Sequence, residues 1–237
     1  LEWGESLGAN IVSSSIGYID WYTQDSLDGQ TAVITQGVNI AIELGMVVVT
    51  AVGNSGTGGI VAPADAFDVI SCGAVDENGM IWINSSQGPT ADGRIKPEVC
   101  ALGMDTFTAQ ANSTTSYGSG TGTSMSTPLV SGVCALLLEA HPDWTPIQIR
   151  DAILNTADQS DTPDNTYGWG IVDAFAAFDY QQTEPPTDSM YFLSNGYPNP
   201  CDKMVSFTLN NPPELHINIS VVDVKGELSF EKKYELT

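Results

Sequence analysis

Residues Met46 to Val52 read Met-Val-Val-Val-Thr-Ala-Val, a nearly unbroken apolar run rich in β-branched side chains. A strand with one wet face alternates polar and apolar positions; this run does not. It must be covered on both faces, as in a parallel sheet sandwiched between helices. The neighbouring sequence fits such cover. Asn10 to Ser14 reads as a short strand, and Val69 to Val75 repeats the buried-strand pattern. Between the first two strands, Thr31 to Leu44 carries Val38, Ala41 and Ile42 at helical spacing, with Gly45 as a stop. Met125 to Ala140 is apolar nearly all round and predicts a buried helix, ended by His141-Pro142. Thr145-Pro146-Ile147-Gln148 is a capping box with proline at the first helical position, and the helix it opens shows Ile149, Ala152 and Ile153 on one face. Leu1 to Gly8 reads as the end of a helix with a glycine stop, so the natural chain is expected to begin upstream of Leu1. Strands alternating with helices predict a three-layer α/β domain over residues 1–180.

The pattern changes near residue 180. Gln181 to Thr187 is polar and proline-rich, and residues 181–190 read as a linker. Short alternating strands follow, at Val205 to Leu209 and Ile217 to Val224, with Asn-Pro and Lys-Gly turns between. Four of the seven basic residues, Lys203, Lys225, Lys232 and Lys233, lie in this tail. Residues 191–237 are therefore expected to form a separate, all-β module.

The chain carries 29 acidic and 7 basic residues, a net charge of −22. Binding to nucleic acid or to an anionic membrane needs clustered Lys and Arg, so neither is expected. No apolar run approaches the ~20 residues that span a bilayer. The cysteines at 72, 100, 134 and 201 form no CxxC pair, and each reads as a small buried residue. With two histidines in the chain, a zinc site is not expected.

Chemistry concentrates at Gly120-Thr121-Gly122-Thr123-Ser124-Met125-Ser126-Thr127-Pro128, a glycine-rich loop running into a helix. The first N–H groups of a helix have no internal partners, and the dipole favours negative charge there. A serine at that junction suits a reaction in which its attack creates an oxyanion. An ordinary helix cap would use the same residues.

Gly122-Thr123-Ser124-Met125 with Pro128 and Gly132 resembles the nucleophile motif of the subtilase family of serine proteases. The likeness extends along the chain. Val47 to Asn54 resembles the strand ending in the family's oxyanion-hole asparagine, and Ser85 to Thr90 and Lys96 to Val99 resemble the segments before the serine. Tyr167 to Asp173 is similar to the closing segment. The resemblance implies a serine endopeptidase working by a Ser-His-Asp mechanism on protein or peptide substrates, secreted or at the cell surface. It implies Ser124 as nucleophile, and Asn54 with the Ser124 N–H as oxyanion donors. It also implies that Ser15-Ile16-Gly17 and Ala51-Val52-Gly53 hold substrate as an added strand. Leu129 stands where many members have histidine, and Leu102 where proline is usual; neither position is catalytic. Calcium is implied only as an ion common in the family, since no motif here fixes a ligand set.

A serine nucleophile needs a base within reach. His141 lies 17 residues beyond Ser124 at the far end of the predicted helix, about 25 Å away. His216 lies in the β module. The resemblance implies an aspartate and a histidine preceding Asn10, upstream of Leu1, so this stretch alone is not expected to hydrolyse peptides. The alternative is a catalytically inactive subtilase-like scaffold that binds peptides or serves as a surface protein. In the tail, Leu193 to Pro200 followed by Val205 to Leu209 and Val221 to Gly226 resembles the C-terminal sorting domain of the type IX (Por) secretion system. That likeness implies a partial immunoglobulin-like β-sandwich and contact with secretion machinery.

Overall fold

The unbroken apolar run becomes the second strand of a four-stranded parallel sheet, buried at every position. The computed structural model describes residues 1–111, 113–182, 215–222 and 228–236. The chain divides into two units, Leu1–Gln182 and Thr183–Thr237. In order, the first unit contains α1 (Glu2–Ser6), β1 (Ile11–Ser14), α2 (Val33–Glu43), β2 (Val47–Ala51), β3 (Ile70–Val75), β4 (Val99–Leu102), β5 (Thr106–Ala109), β6 (Tyr117–Gly120), α3 (Thr123–Ala140), α4 (Pro146–Thr156) and α5 (Ala174–Phe178). The sheet order is β1-β2-β3-β4, with Ser14 beside Thr50, Ala51 beside Cys72 and Cys72 beside Val99.

Period-two alternation sends the side chains of β2 to two different cores. Val47 and Val49 join Ile70, Cys72, Val99 and the inward residues of α3 and α4. Val48 joins Val38, Ala41 and Ile42 of α2. Helices thus cover both sheet faces, giving the three layers that the sequence pattern predicts. Gly45, at φ +97°, stops α2 and turns the chain into β2. The expected capping box of α4 forms in full: the Gln148 N–H is donated to Thr145 Oγ1, and the Thr145 N–H to Gln148 Oε1. The thiols of Cys72, Cys100 and Cys134 are buried and free, and burial pushes Cys134 up to about 12. Cys201 lies outside the described residues.

One expectation is corrected. α3 is buried on a single stripe, Ser126, Thr127, Val130, Ser131, Cys134 and Leu137, not all round. Leu136 is 59% exposed and Leu129 43%. Its exposed positions are Pro128, Leu129, Gly132, Ala135, Leu136 and Glu139, so apolar residues stand on the outer face as well as on the inner one. By length and composition alone α3 matches a membrane-crossing helix; here it is the helix packed along the sheet.

The sheet is tied to α4 by a buried ionic cluster. Glu98 and Lys96 are each 1% exposed. Lys96 Nζ is 2.7 Å and Arg150 Nη2 3.1 Å from Glu98 Oε1, while the Ser71 N–H and hydroxyl are donated to Glu98 Oε2 at 2.9 and 2.7 Å. Lys96 Nζ also donates to Ala66 O at 3.1 Å. Burial opposes both charges. For Glu98 the two cations and the Ser71 donors outweigh it, holding the carboxyl below its usual range; for Lys96 burial outweighs one carboxylate and the ammonium is pushed down.

In the second unit the described residues form β7 (Leu215–Val222) and β8 (Leu228–Leu236), antiparallel, with Leu215 beside Leu236. The expected Tyr-Pro-Asn-Pro stretch at 197–200, the strand at 205–209 and most of the 181–190 linker lie outside the described residues. Two strands are the described extent of the expected β-sandwich.

Replacing Glu98 by glutamine leaves the buried Lys96 ammonium and the half-buried Arg150 guanidinium facing a neutral amide. Glu98→Gln is expected to lower unfolding stability by about 3–5 kcal/mol in urea titrations at neutral pH. The depressed carboxyl contributes stability above the ordinary glutamate value, about 4.3, and loses it as pH falls through its lower folded value. The variant should therefore show a shallower loss of stability below pH ~4 than the wild type.

Candidate active site

The site is assembled where β1 and β2 end and α3 begins, at the carboxyl ends of the parallel strands. Gly122 is the N-cap of α3, at φ +149° and ψ +161°. Next to it, Thr123 donates twice to Asn54 Oδ1, from its N–H at 3.0 Å and its hydroxyl at 2.8 Å. A backbone N–H can only donate, so the oxygen of the Asn54 amide must face Thr123 and Nδ2 must face away. Among the described residues Nδ2 meets no acceptor. Neither does the Ser124 N–H, one of the helix's unpartnered first donors.

Both nitrogens lie beside one point. A Cβ at Gly122 would lie 3.6 Å from Asn54 Nδ2, 3.7 Å from its Oδ1 and 3.8 Å from Ser124 N. The point is at a helix N-terminus, where the dipole favours an anion. Two preorganised donors there can stabilise an oxygen that gains negative charge.

Ser124 is half-buried in the second position of α3. Its hydroxyl is 3.3 Å from Ser15 O, and the Ser15 hydroxyl donates to Ser124 O at 3.0 Å. Pro128 explains the second bond. It stands four residues after Ser124 inside α3 and has no N–H. The Ser124 carbonyl, deprived of its helical donor, is satisfied by the end of β1 instead. The two chain segments are thereby fixed side by side.

Of the predicted substrate segments, Ser15, Ile16 and Gly17 are all exposed. The backbone groups of Ile16 and Gly17 have no partner among the described residues, while Tyr18 pairs with Ala62 in both directions. Ala51, Val52 and Gly53 are buried. The Val52 N–H goes to Cys72 O, Val52 O accepts from Val61 N–H, and Gly53 O accepts from Ser86 N–H. The first segment thus offers a free strand edge and the second a wall.

His141 caps the far end of α3. It stacks on Trp144 at 3.8 Å between centroids, and its Nε2 is 3.0 Å from Phe178 O. It is held there and does not approach Ser124. His216 belongs to the second unit. No group of three or more His, Cys, Asp or Glu gathers among the described residues where a metal could be held. Sequence reasoning missed Thr123 as the residue that orients Asn54, and Pro128 as the reason for the Ser15 bond. Both stand inside the recognised motif, but only their long-range partners reveal the roles.

Residues 1–170 match the family model described as the Subtilase family, Peptidase S8. The chain is 36% identical over 177 residues to M-protease of Shouchella clausii (strain KSM-K16), covering 75% of this chain and 42% of that protein. It is 35% identical over 177 residues to Subtilisin Savinase of Lederbergia lenta, covering 75% and 59%. The chain therefore spans less than two thirds of either relative. Among solved structures, the prenylagaramide maturation protease PagA superposes with a TM-score of 0.63 at 28% identity, over 75% of this chain and 64% of that one. The patellamide maturation protease PatA gives 0.61 at 27% identity, over 75% and 64%.

A Cβ at Gly122 meets its neighbours at ordinary contact distances, so the demand for glycine is conformational. At φ +149° a side chain is strained. Gly122→Ala is expected to cost about 1–3 kcal/mol of stability in urea unfolding.

Proposed function

The chain belongs to the subtilase family, and from that membership we propose that the protein is a serine endopeptidase with Ser124 as its nucleophile. The observation that carries the proposal is that Asn54 Nδ2 and the Ser124 N–H, neither with an acceptor among the described residues, lie 3.6 and 3.8 Å from one point at Gly122. A binding module has no use for two free donors held next to a serine.

A peptide lies along Ser15-Ile16-Gly17 as an added strand, with Ala51-Val52-Gly53 as the wall opposite. Its scissile carbonyl oxygen enters the space at Gly122. Ser124 Oγ attacks the carbonyl carbon, the π pair moves onto the oxygen, and the hydroxyl proton passes to a base. Asn54 Nδ2 and the Ser124 N–H donate to the tetrahedral oxyanion. Collapse breaks the C–N bond; the amine leaves with the proton returned by the base, and an acyl ester stays on Ser124. Water, deprotonated by the same base, then releases the acid and restores the serine. The base is a histidine oriented by a carboxylate, as the family resemblance implies, and both come from outside the described residues. His141 is too distant for the task.

The substrates are proteins or peptides in the extracellular space or at the cell surface. Export through the secretion machinery that reads the C-terminal module rests on the resemblance of residues 193–226. A catalytically silent peptide-binding scaffold is the competing reading. It is favoured by the Ser124 hydroxyl having Ser15 O as its sole partner among the described residues.

In the full-length protein, hydrolysis of an unstructured protein substrate and labelling by a fluorophosphonate probe are both expected, and Ser124→Ala should abolish both. Asn54→Ala is expected to lower kcat by about 10²–10³, the loss known for the corresponding donor in subtilisin itself and carried over from it. Activity surviving Ser124→Ala would overturn the proposal. Peptide binding without cleavage would establish the silent scaffold.

A further inference from the structure

The two substrate segments each carry a glycine facing a common slot, and one side chain closes that slot. A Cβ on Gly17 would overlap the Val61 Cγ2 methyl and lie 3.0 Å from Val61 Cβ. On the other side, a Cβ on Gly53 would lie 3.0 Å from Val61 Cγ1. The two methyl groups of Val61 thus reach from one wall to the other. Ser86 Oγ stands at the same end, 2.7 Å from the Cβ position of Gly53.

Val61 is fixed in place. It is 7% exposed, its N–H is donated to Val52 O at 3.1 Å, and the next residue, Ala62, is bridged to Tyr18. A β-branched side chain is restricted at χ1, and one packed against both walls cannot swing aside at low cost. Glycine at both walls creates room beside the peptide; valine between them takes that room back.

A peptide extended along Ser15–Gly17 turns alternate side chains toward and away from this slot. Ser124 Oγ is 3.3 Å from Ser15 O, so the nucleophile lies beside the start of the segment that carries Gly17, and the residue whose carbonyl it would attack lies next to that segment. We infer that Val61 is the specificity-determining residue of this site, and that it restricts cleavage to bonds following a small residue: glycine, alanine or serine. The inference rests on the peptidase reading and names its substrate class. An aromatic or long aliphatic side chain would have to displace a packed valine, whereas a methyl or hydroxymethyl group fits above it.

The test is a series of peptide p-nitroanilides differing only in the residue before the scissile bond, Gly, Ala, Ser, Leu or Phe, assayed with the full-length protein. The wild type is expected to give a kcat/KM for alanine at least about tenfold above that for phenylalanine. Val61→Gly and Val61→Ala should each lower that ratio by about tenfold or more, glycine by the larger factor. Val61→Ala keeps the test available if the glycine variant does not fold, as judged by its thermal unfolding. A wild type that cleaves after phenylalanine as readily as after alanine would overturn the inference and leave the peptidase reading standing. So would folded variants whose ratio is unchanged. A wild type that cleaves none of the series, and no protein substrate either, would take down the peptidase reading and this inference together.

Discussion

The hydrogen bonding of β2 on both edges is the constraint from which the site follows. β2 is paired to β1 with Ser14 beside Thr50, and to β3 with Ala51 beside Cys72. That pairing brings the ends of two strands to one level, so the segments leaving them, residues 15–17 and 52–54, start out adjacent. Parallel strands discharge their loops on the same side of the sheet, and here those loops carry the wall, the edge and the amide. A slip of one residue in this register would invert every side chain of β2 and move Val47 and Val49 out of the core they share with α3. The burial of the strand on both faces is therefore what fixes the geometry of Asn54.

From that base, the site is held by bonds that cross long stretches of chain. Thr123 and Asn54 are 69 residues apart, and Ser15 and Ser124 are 109 apart. None of these bonds is ionic. The charges are spent elsewhere, in the Lys96–Glu98–Arg150 cluster that ties β4 to α4. Near Ser124 there are instead neutral donors of fixed direction. Such donors stabilise charge that appears during a reaction without trapping charge beforehand, since their dipoles are already oriented when it appears.

Much of this was legible in the sequence. The apolar run at 46–52, the helix at 31–44 and the capping box at 145 are local signals, and each forms as its pattern requires. Ser124 and Asn54 were found through motif likeness, and the fold brings them together. What was not legible depended on partners far away in the chain. The stripe of α3 was not legible because Leu129, Gly132, Ala135 and Leu136 read as apolar yet face outward while Ser126 and Ser131 are buried, so burial is set by the position of the sheet and not by composition. The part played by Thr123 needed the position of Asn54, and that of Pro128 needed Ser15. Val61 sits in no motif; its importance lies in two glycines 44 and 8 residues before it. Sequence reading names the residue types that a site needs, but the volume left between them is a property of the packed chain.

The buried ionic cluster has one further effect. Residues 1–182 hold three basic side chains, Arg94, Lys96 and Arg150, against 21 of the 29 acidic ones. Each of the three is engaged: Arg94 bonds Asp92 and the carbonyls of Asp65 and Ala66, and the other two meet at Glu98. The surface of this unit is thus left with carboxylates almost unopposed. Two copies approach each other against their own field, which reaches about 30 Å at 0.01 M salt and about 10 Å at 0.1 M. Cationic chains are drawn in by the same field and anionic ones slowed. For a chain read as a peptidase, the encounter most strongly discouraged in dilute salt is the one with another molecule of itself, so resistance to self-digestion becomes a colloidal property that salt can erode.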